Sequence, residues 1–220
     1  AVLAQDGVTN GAVYALLAMA RRGIDRGRFL FTGAELRSDW PFGALVPSGY
    51  DLIMADPPWL FELYSAKGEA KSASAHYACM DIEAIRRLPI AELASRDCVL
   101  WLWATWPLLP EAIATIARWG FTYKTGGAWD KQRWGTGYLM RSVCEPFLIA
   151  TKGHPRVDGR SVPNLIEESR REHSRKPELA YELAERMAGD VDRLEVFSRT
   201  PRAGWSTWGD EASKFVEVAP

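Results

Sequence analysis

Four consecutive residues, Asp56-Pro57-Pro58-Trp59, have the clearest capacity for chemistry in this chain. They follow Tyr50-Asp51-Leu52-Ile53-Met54-Ala55, an apolar run with the length of a buried strand. Two prolines fix φ and supply no N–H, so a regular strand stops there. The Pro57 carbonyl is then outside any ladder, an acceptor beside the Asp56 carboxylate, and Trp59 adds a flat aromatic face. Two oxygen acceptors and an aromatic plane make a receptor for a planar heterocycle with an exocyclic amino group. The oxygens take its two N–H bonds and the ring stacks on Trp59. A bare Asp-Pro-Pro is more commonly a turn with a capping Asp; the added Trp and the preceding strand favour the receptor.

The elements that must hold this motif alternate. Asp81 caps a helix through Arg87 that Pro89 ends. Cys98–Trp103 is the strongest strand, six apolar residues without a break. Pro110 opens a helix to Trp119 that Gly120 closes. Strands follow at Phe121–Trp129 and Pro146–Thr151, then a helix from Pro177 through Met187, then a strand at Leu194–Phe197. A further helix is expected from Thr9 to Arg22. Residues 24–48 read as irregular, 60–78 as a loop, and 154–172 as polar and mobile. Short apolar strands alternating with helices predict an α/β fold, a mainly parallel sheet with helices on both faces. Ligands of such sheets bind beyond the carboxyl ends of strands. Two segments have that position, Asp56 onward and Ser198 onward.

Composition excludes other classes. The chain has 220 residues, 47% hydrophobic and 25% charged, the balance of one globular domain. The 27 basic and 28 acidic residues leave a net charge of −1, so nucleic-acid binding has to come from local basic patches. Ten Trp is several times ordinary usage, and Trp both packs cores and stacks on bases. Trp101, Trp103 and Trp119 read as core. Cys79, Cys98 and Cys144 form no metal-ligand run with His76, His154 or His173, which points to no metal and to a reduced, cytoplasmic setting. The apolar run from Gly11 to Ala20 is half the roughly 20 residues of a membrane span, so no membrane is expected.

From the strand at Tyr50 to residue 211, the chain resembles the MT-A-type adenine 6-amino methyltransferases, relatives of the catalytic subunit of the mRNA adenosine methyltransferase. Asp56-Pro57-Pro58-Trp59 looks like their catalytic motif. The likeness continues through His76-Tyr77-Ala78-Cys79-Met80, Leu100-Trp101-Leu102-Trp103, Trp129-Asp130-Lys131, Phe147 to Gly153, His173-Ser174-Arg175-Lys176-Pro177-Glu178, Glu195-Val196-Phe197-Ser198-Arg199 and Gly204 to Gly209. The order of these pieces, over residues 50–211, is what makes the resemblance specific. It implies a Rossmann-like methyltransferase fold, with 1–220 as a single methyltransferase domain and 1–45 as an extension outside the likeness. It implies S-adenosylmethionine as methyl donor and adenine in nucleic acid as acceptor. A compact chain without an RNA-binding module looks like the bacterial or phage branch, so DNA is favoured over RNA, with a homodimer or partner subunit to supply target recognition. The competing reading is a non-catalytic nucleic-acid-binding or scaffolding subunit of a methyltransferase complex.

Carried over residue by residue, the resemblance gives Asp56, Pro57, Pro58 and Trp59 as catalytic. It gives Asp56, Lys176, Arg199, Asp210 and Glu211 as donor-binding: Lys176 to the donor's carboxylate, Arg199 to its ribose, Asp210 and Glu211 to its adenine. The chain departs from the family at Asp210, commonly an amide residue, and at Pro201 and Arg202, which replace polar residues. Glu35 and Asp39 are candidates for an acidic role upstream. Glu195 reads as solvent-facing or paired with Arg193, His173 as a helix neighbour, and His76 and Tyr77 as loop residues that close over the base or pack.

The remaining signal is basic. Lys124, Lys131, Arg133 and Arg141 outnumber Asp130 in and beside the loop after the Trp129 strand, where Gly135 and Gly137 favour mobility. Lys131, Arg133, Trp134 and Arg141 are the expected nucleic-acid contacts, three cations for phosphates and one ring for stacking. Residues 152–176 hold seven cations against four acids, a second stretch suited to phosphate.

Overall fold

The computed structural model describes residues 39–60, 79–135, 139–159, 161–171 and 175–209. At their centre is β1, Tyr50–Ala55, whose side chains alternate between two cores. Leu52 and Met54 enter one core; Tyr50, Ile53 and Ala55 enter the other. A strand apolar on both faces has to lie inside a sheet covered on both sides. β2 (Ala94–Trp103) and β6 (Arg193–Val196) flank it, each parallel to it. Beyond β6 lies β7 (Trp205–Trp208); beyond β2 lie β4 (Cys144–Lys152), β3 (Thr122–Asp130) and β5 (Leu165–Glu167). The order is β5-β3-β4-β2-β1-β6-β7. β4 runs antiparallel to both neighbours, and the other pairings are parallel.

One face carries α1 (Ile82–Arg87), α2 (Ile90–Leu93) and α3 (Leu109–Arg118) over Ile53, Leu100 and Leu102. The other carries α4 (Glu178–Ala188) over Leu52, Met54 and Trp101. The expected α/β architecture is the one observed. α1 starts where Asp81 accepts from the Ala84 N–H, and α3 ends at Gly120, whose φ of +75° suits only glycine well. Trp101, Trp103, Trp119 and Trp129 are among the largest fully buried side chains, so most of the unusual Trp content is core.

Two strands depart from expectation. Residues 154–172 read as an irregular polar stretch, yet Leu165–Glu167 joins the sheet beside β3 as β5. Only Ile166 of its three residues is buried, and one apolar residue in three is too short for a periodicity to register. Trp205–Trp208 is likewise a strand, pairing with β6. The expected Thr9–Arg22 helix and the loop over 61–78 lie outside the described residues. No helix among the described residues is long and apolar enough to cross a membrane.

β5 matters because it fastens the start of α4. Just past it, the Glu168 carbonyl accepts from Trp129 Nε1 at 2.6 Å, and the Glu168 carboxylate accepts from the N–H groups of Glu178 and Leu179. Those are unsatisfied donors of the α4 first turn. β5 lies close to β3 only because residue 127 is glycine: a Cβ there would meet the Asn164 carbonyl oxygen and the Phe147 ring. Gly127→Ala is therefore expected to cost about 1–3 kcal/mol by overpacking. Urea unfolding of the variant checks this; an unchanged midpoint contradicts the account.

Candidate active site

Asp56 stands at the carboxyl end of β1, its N–H donating to the Val196 carbonyl at 3.3 Å where β6 also ends. The two prolines stop the ladder, as expected, but the Pro57 carbonyl is engaged. It accepts from the Trp59 N–H at 2.8 Å, across a three-residue turn, and keeps only its second lone pair. The Pro58 carbonyl accepts from Met80 at 2.9 Å. Trp59 is 5% exposed, and its Nε1 donates to the Trp103 carbonyl at 3.1 Å. In place of an open stacking face, Trp59 offers a buried ring that pins the motif to the end of β2.

Lys176, two residues before α4, reaches into the same place and is 8% exposed. Its Nζ lies 3.1 Å from Asp56 Oδ1, hydrogen-bonds Glu145 Oε1 and sits 4.7 Å from the Trp103 ring centroid. Glu145 comes from the start of β4, and its other oxygen faces Lys131 Nζ at 3.9 Å. The result is a row of alternating charge, Lys131–Glu145–Lys176–Asp56. Burial opposes the charge on Lys176, but the two carboxylates outweigh it and its pKa is raised. Burial pushes the Asp56 carboxyl up; Lys176 and Arg199 pull it down, and the Glu145 charge adds to the rise. Asp56 is thus a carboxylate of raised basicity with one oxygen held.

Beyond Asp56 opens a cavity of about 390 Å³, within the usual range for ligand sites. Its lining includes Asp56, Lys176, Tyr181, Glu195, Phe197 and Arg199. Glu195 is neither solvent-facing nor bonded chiefly to Arg193. It is buried, accepting from Tyr181 Oη at 2.6 Å and from Ser198 Oγ at 2.9 Å. Burial raises its pKa, and the same hydrogen bonds restrain the rise. Phe197 holds φ at +65°, a left-handed conformation rare for a bulky residue, where the chain turns out of β6 into the cavity wall. Arg202, at the far end, pairs with Glu178 and Glu185 and lies over the Tyr181 ring. Pro201 lines the same cavity.

Glu145, Tyr181 and Glu195 belong to this site without having been assigned to it from sequence. Glu195 carries a legible signal, a carboxylate inside an apolar strand at its carboxyl end. Glu145 carries none, since only the antiparallel return of β4 brings it near Asp56. Asp210, Glu211, Glu35, His76, Tyr77 and His173 lie outside the described residues.

The expected nucleic-acid contacts occupy the β3–β4 connection, on the same edge of the sheet. Arg133, Trp134 and Arg141 are exposed, Trp134 by 76%, while Lys131 is turned toward Glu145. In the second basic stretch Arg171 is engaged internally with Glu168 and Glu178, and Lys176 with Asp56 and Glu145, while Arg156 and Arg170 are exposed.

A family model, MT-A70, matches residues 50–211, from the start of β1 past the end of β7. The chain belongs to the MT-A70 family. It is 31% identical to the Type II methyltransferase M.MunI of a Mycoplasma species over 191 residues, 79% of this chain and 82% of that protein. It is 29% identical to the N6-methyladenosine RNA methyltransferase MTA1 of Cryphonectria parasitica, covering 88% of this chain and 60% of that one. It is 26% identical to the human N(6)-adenine-specific methyltransferase METTL4, covering 77% and 39%. The chain thus spans most of the first but less than two thirds of the other two. These relatives are named as methyltransferases, and within this MT-A70 chain the conspicuous strand-end motif coincides with the buried charge row and the cavity.

Glu195 sets a pH test. Its folded pKa lies above the ordinary carboxylate value, so between the two the folded chain binds more protons than the unfolded one. Stability from this group is present at low pH and lost as pH rises through the raised value. Glu195→Gln removes the buried charge. The melting temperature of the variant relative to wild type should be higher at about pH 7.5 than at about pH 5. A difference that stays flat across that range contradicts a buried, ionisable Glu195.

Proposed function

We propose that this chain transfers the methyl group of S-adenosylmethionine to the exocyclic 6-amino group of adenine in nucleic acid, DNA in preference to RNA. The observation that carries the reading is a carboxylate of raised basicity, Asp56, held at a strand end on the wall of a cavity of mixed charge.

The lining suits the donor. Lys176 and Arg175 offer cations for an amino-acid carboxylate, and Glu195 is a strand-end carboxylate of the kind that accepts from ribose hydroxyls. Arg199 lies on the same wall, and Phe197 supplies apolar surface. Asp210 and Glu211 remain assigned to the donor's adenine. When bound, S-adenosylmethionine supplies a methyl group made electrophilic by its sulfonium.

The chain's own contribution is orientation and charge. An adenine amino nitrogen shares its lone pair with the ring and attacks only as it becomes more tetrahedral. Lys176 occupies Asp56 Oδ1, which leaves Oδ2 to accept an amino N–H. The second lone pair of the Pro57 carbonyl is the other acceptor. Both favour the bent nitrogen and stabilise the positive charge it gains. The proton is lost after attack, because the methylated ammonium is far more acidic than the amine, and Asp56 Oδ2 is placed to take it. In-line placement of the reacting atoms accounts for much of the rate. Lys131, Arg133 and Arg141 are assigned to phosphates and Trp134 to a base. Extracting adenine from a duplex costs a few kcal/mol.

The preference for DNA is supported by extent. Of the three relatives described, the chain spans most fully the type II methyltransferase, and only 60% of the RNA methyltransferase. Labelled methyl transfer to DNA and RNA pools, followed by nucleoside analysis, should place the label on deoxyadenosine. Asp56→Ala should lower that transfer by roughly 10²–10³-fold or more while the chain stays folded. Near-native turnover of the variant overturns the site. A calorimetric titration showing no donor binding by wild type favours the non-catalytic scaffold instead.

A further inference from the structure

The connection between β3 and β4 exposes more than cations. Leu139 and Met140 stand out from the surface, Met140 by 83%, a few residues from the exposed Trp134. Large apolar side chains grouped in water at one place mark a binding surface. The connection is held as a hairpin by its own groups: Lys131 N–H to Val143, Gly135 N–H to Ser142 at 2.7 Å, and Arg141 Nε to the Gly135 carbonyl at 2.9 Å. Leu139 and Met140 therefore stand away from the core beside a braced stem. Trp106, just past the carboxyl end of β2, is half-exposed and clipped to the foot of that stem, its Nε1 donating to the Cys144 carbonyl at 3.1 Å. The Ser142 hydroxyl donates to the same carbonyl. The next residue is Glu145, from which the charge row runs to Asp56.

These apolar residues and Asp56 thus lie on one edge of the sheet, the edge where β1, β2 and β3 end. Arg133 and Arg141 flank the group and match a phosphate backbone. Apolar side chains in such a setting enter base steps and fill the space a displaced base leaves. We propose that Trp106, Leu139 and Met140 form an apolar wedge that enters a DNA duplex beside the target adenine and holds the stack open while the adenine lies at Asp56. The wedge rests on the adenine-methyltransferase reading above and adds to it the residues that open the duplex.

The test needs no knowledge of the target sequence. A random-sequence single-stranded DNA pool, and the same pool made double-stranded by primer extension, are each incubated with labelled S-adenosylmethionine. Two variants are compared with wild type: Leu139→Ser with Met140→Ser, and Trp106→Ala. The changed residues are exposed, and melting curves check that folding is intact. The wedge predicts a wild type active on both pools, and a ratio of duplex to single-strand rate that falls by about tenfold or more in each variant. A ratio that stays at the wild-type value overturns the wedge, whether both rates fall together, as for a surface that docks a protein partner, or neither moves. A wild type confined to single strands also overturns it and leaves adenine methylation standing. Label in an RNA pool alone overturns both the wedge and the preference for DNA. Label in no pool overturns the function on which the wedge rests.

Discussion

An ammonium taken out of water costs several kcal/mol unless charged and hydrogen-bonding partners replace the solvent. Lys176 meets that demand with Asp56, Glu145 and the face of Trp103. The partners come from the end of β1, the start of β4 and the end of β2. None of them is near Lys176 in sequence. The sheet order, the antiparallel turn of β4 and the placing of α4 all have to be right before this one lysine is satisfied. Removing a single member leaves a buried charge without its counterpart, so the arrangement specifies a geometry as much as it adds stability.

The proposed function rests on the same contact. The row sets two lysines against two carboxylates, and burial is what raises the basicity of Asp56. A carboxylate in that state accepts well from an amino group that is gaining positive charge. Its orientation is fixed because one oxygen is already taken. Next to it, Glu195 is held by Tyr181 and Ser198, and Phe197 is kept in a left-handed conformation. These are costs borne at the carboxyl ends of β1 and β6, where the proposed reaction would take place, and the apolar strands below sustain them.

Much of this was legible in the residues. β1, the Asp81 cap, α3 with Gly120 and α4 all carry local signals strong enough to read: apolar runs, a capping side chain, a glycine at positive φ, a helix-opening proline. The motif at Asp56 was legible because Trp59 and the buried strand before it set it apart from the capped turn that a bare Asp-Pro-Pro more commonly makes. Less visible were features made by distance in sequence. β5 has one buried residue and gains its identity from the approach that Gly127 permits. Glu145 becomes part of the site only when β4 folds back. The Pro57 carbonyl looked unengaged because the turn that satisfies it is backbone geometry. Trp59 looked like an open platform because nothing in its neighbours announces the Trp103 carbonyl that receives its N–H.

The central claim is that Lys176 holds Asp56 charged and aimed. The most direct test is the pH dependence of kcat/KM for methyl transfer in wild type and in Lys176→Gln, a change that keeps hydrogen-bonding capacity and removes the charge. Lys176 lowers the pKa of Asp56, so its loss should move the acid limb of the profile to higher pH. An acid limb that stays where it is in wild type would contradict the account.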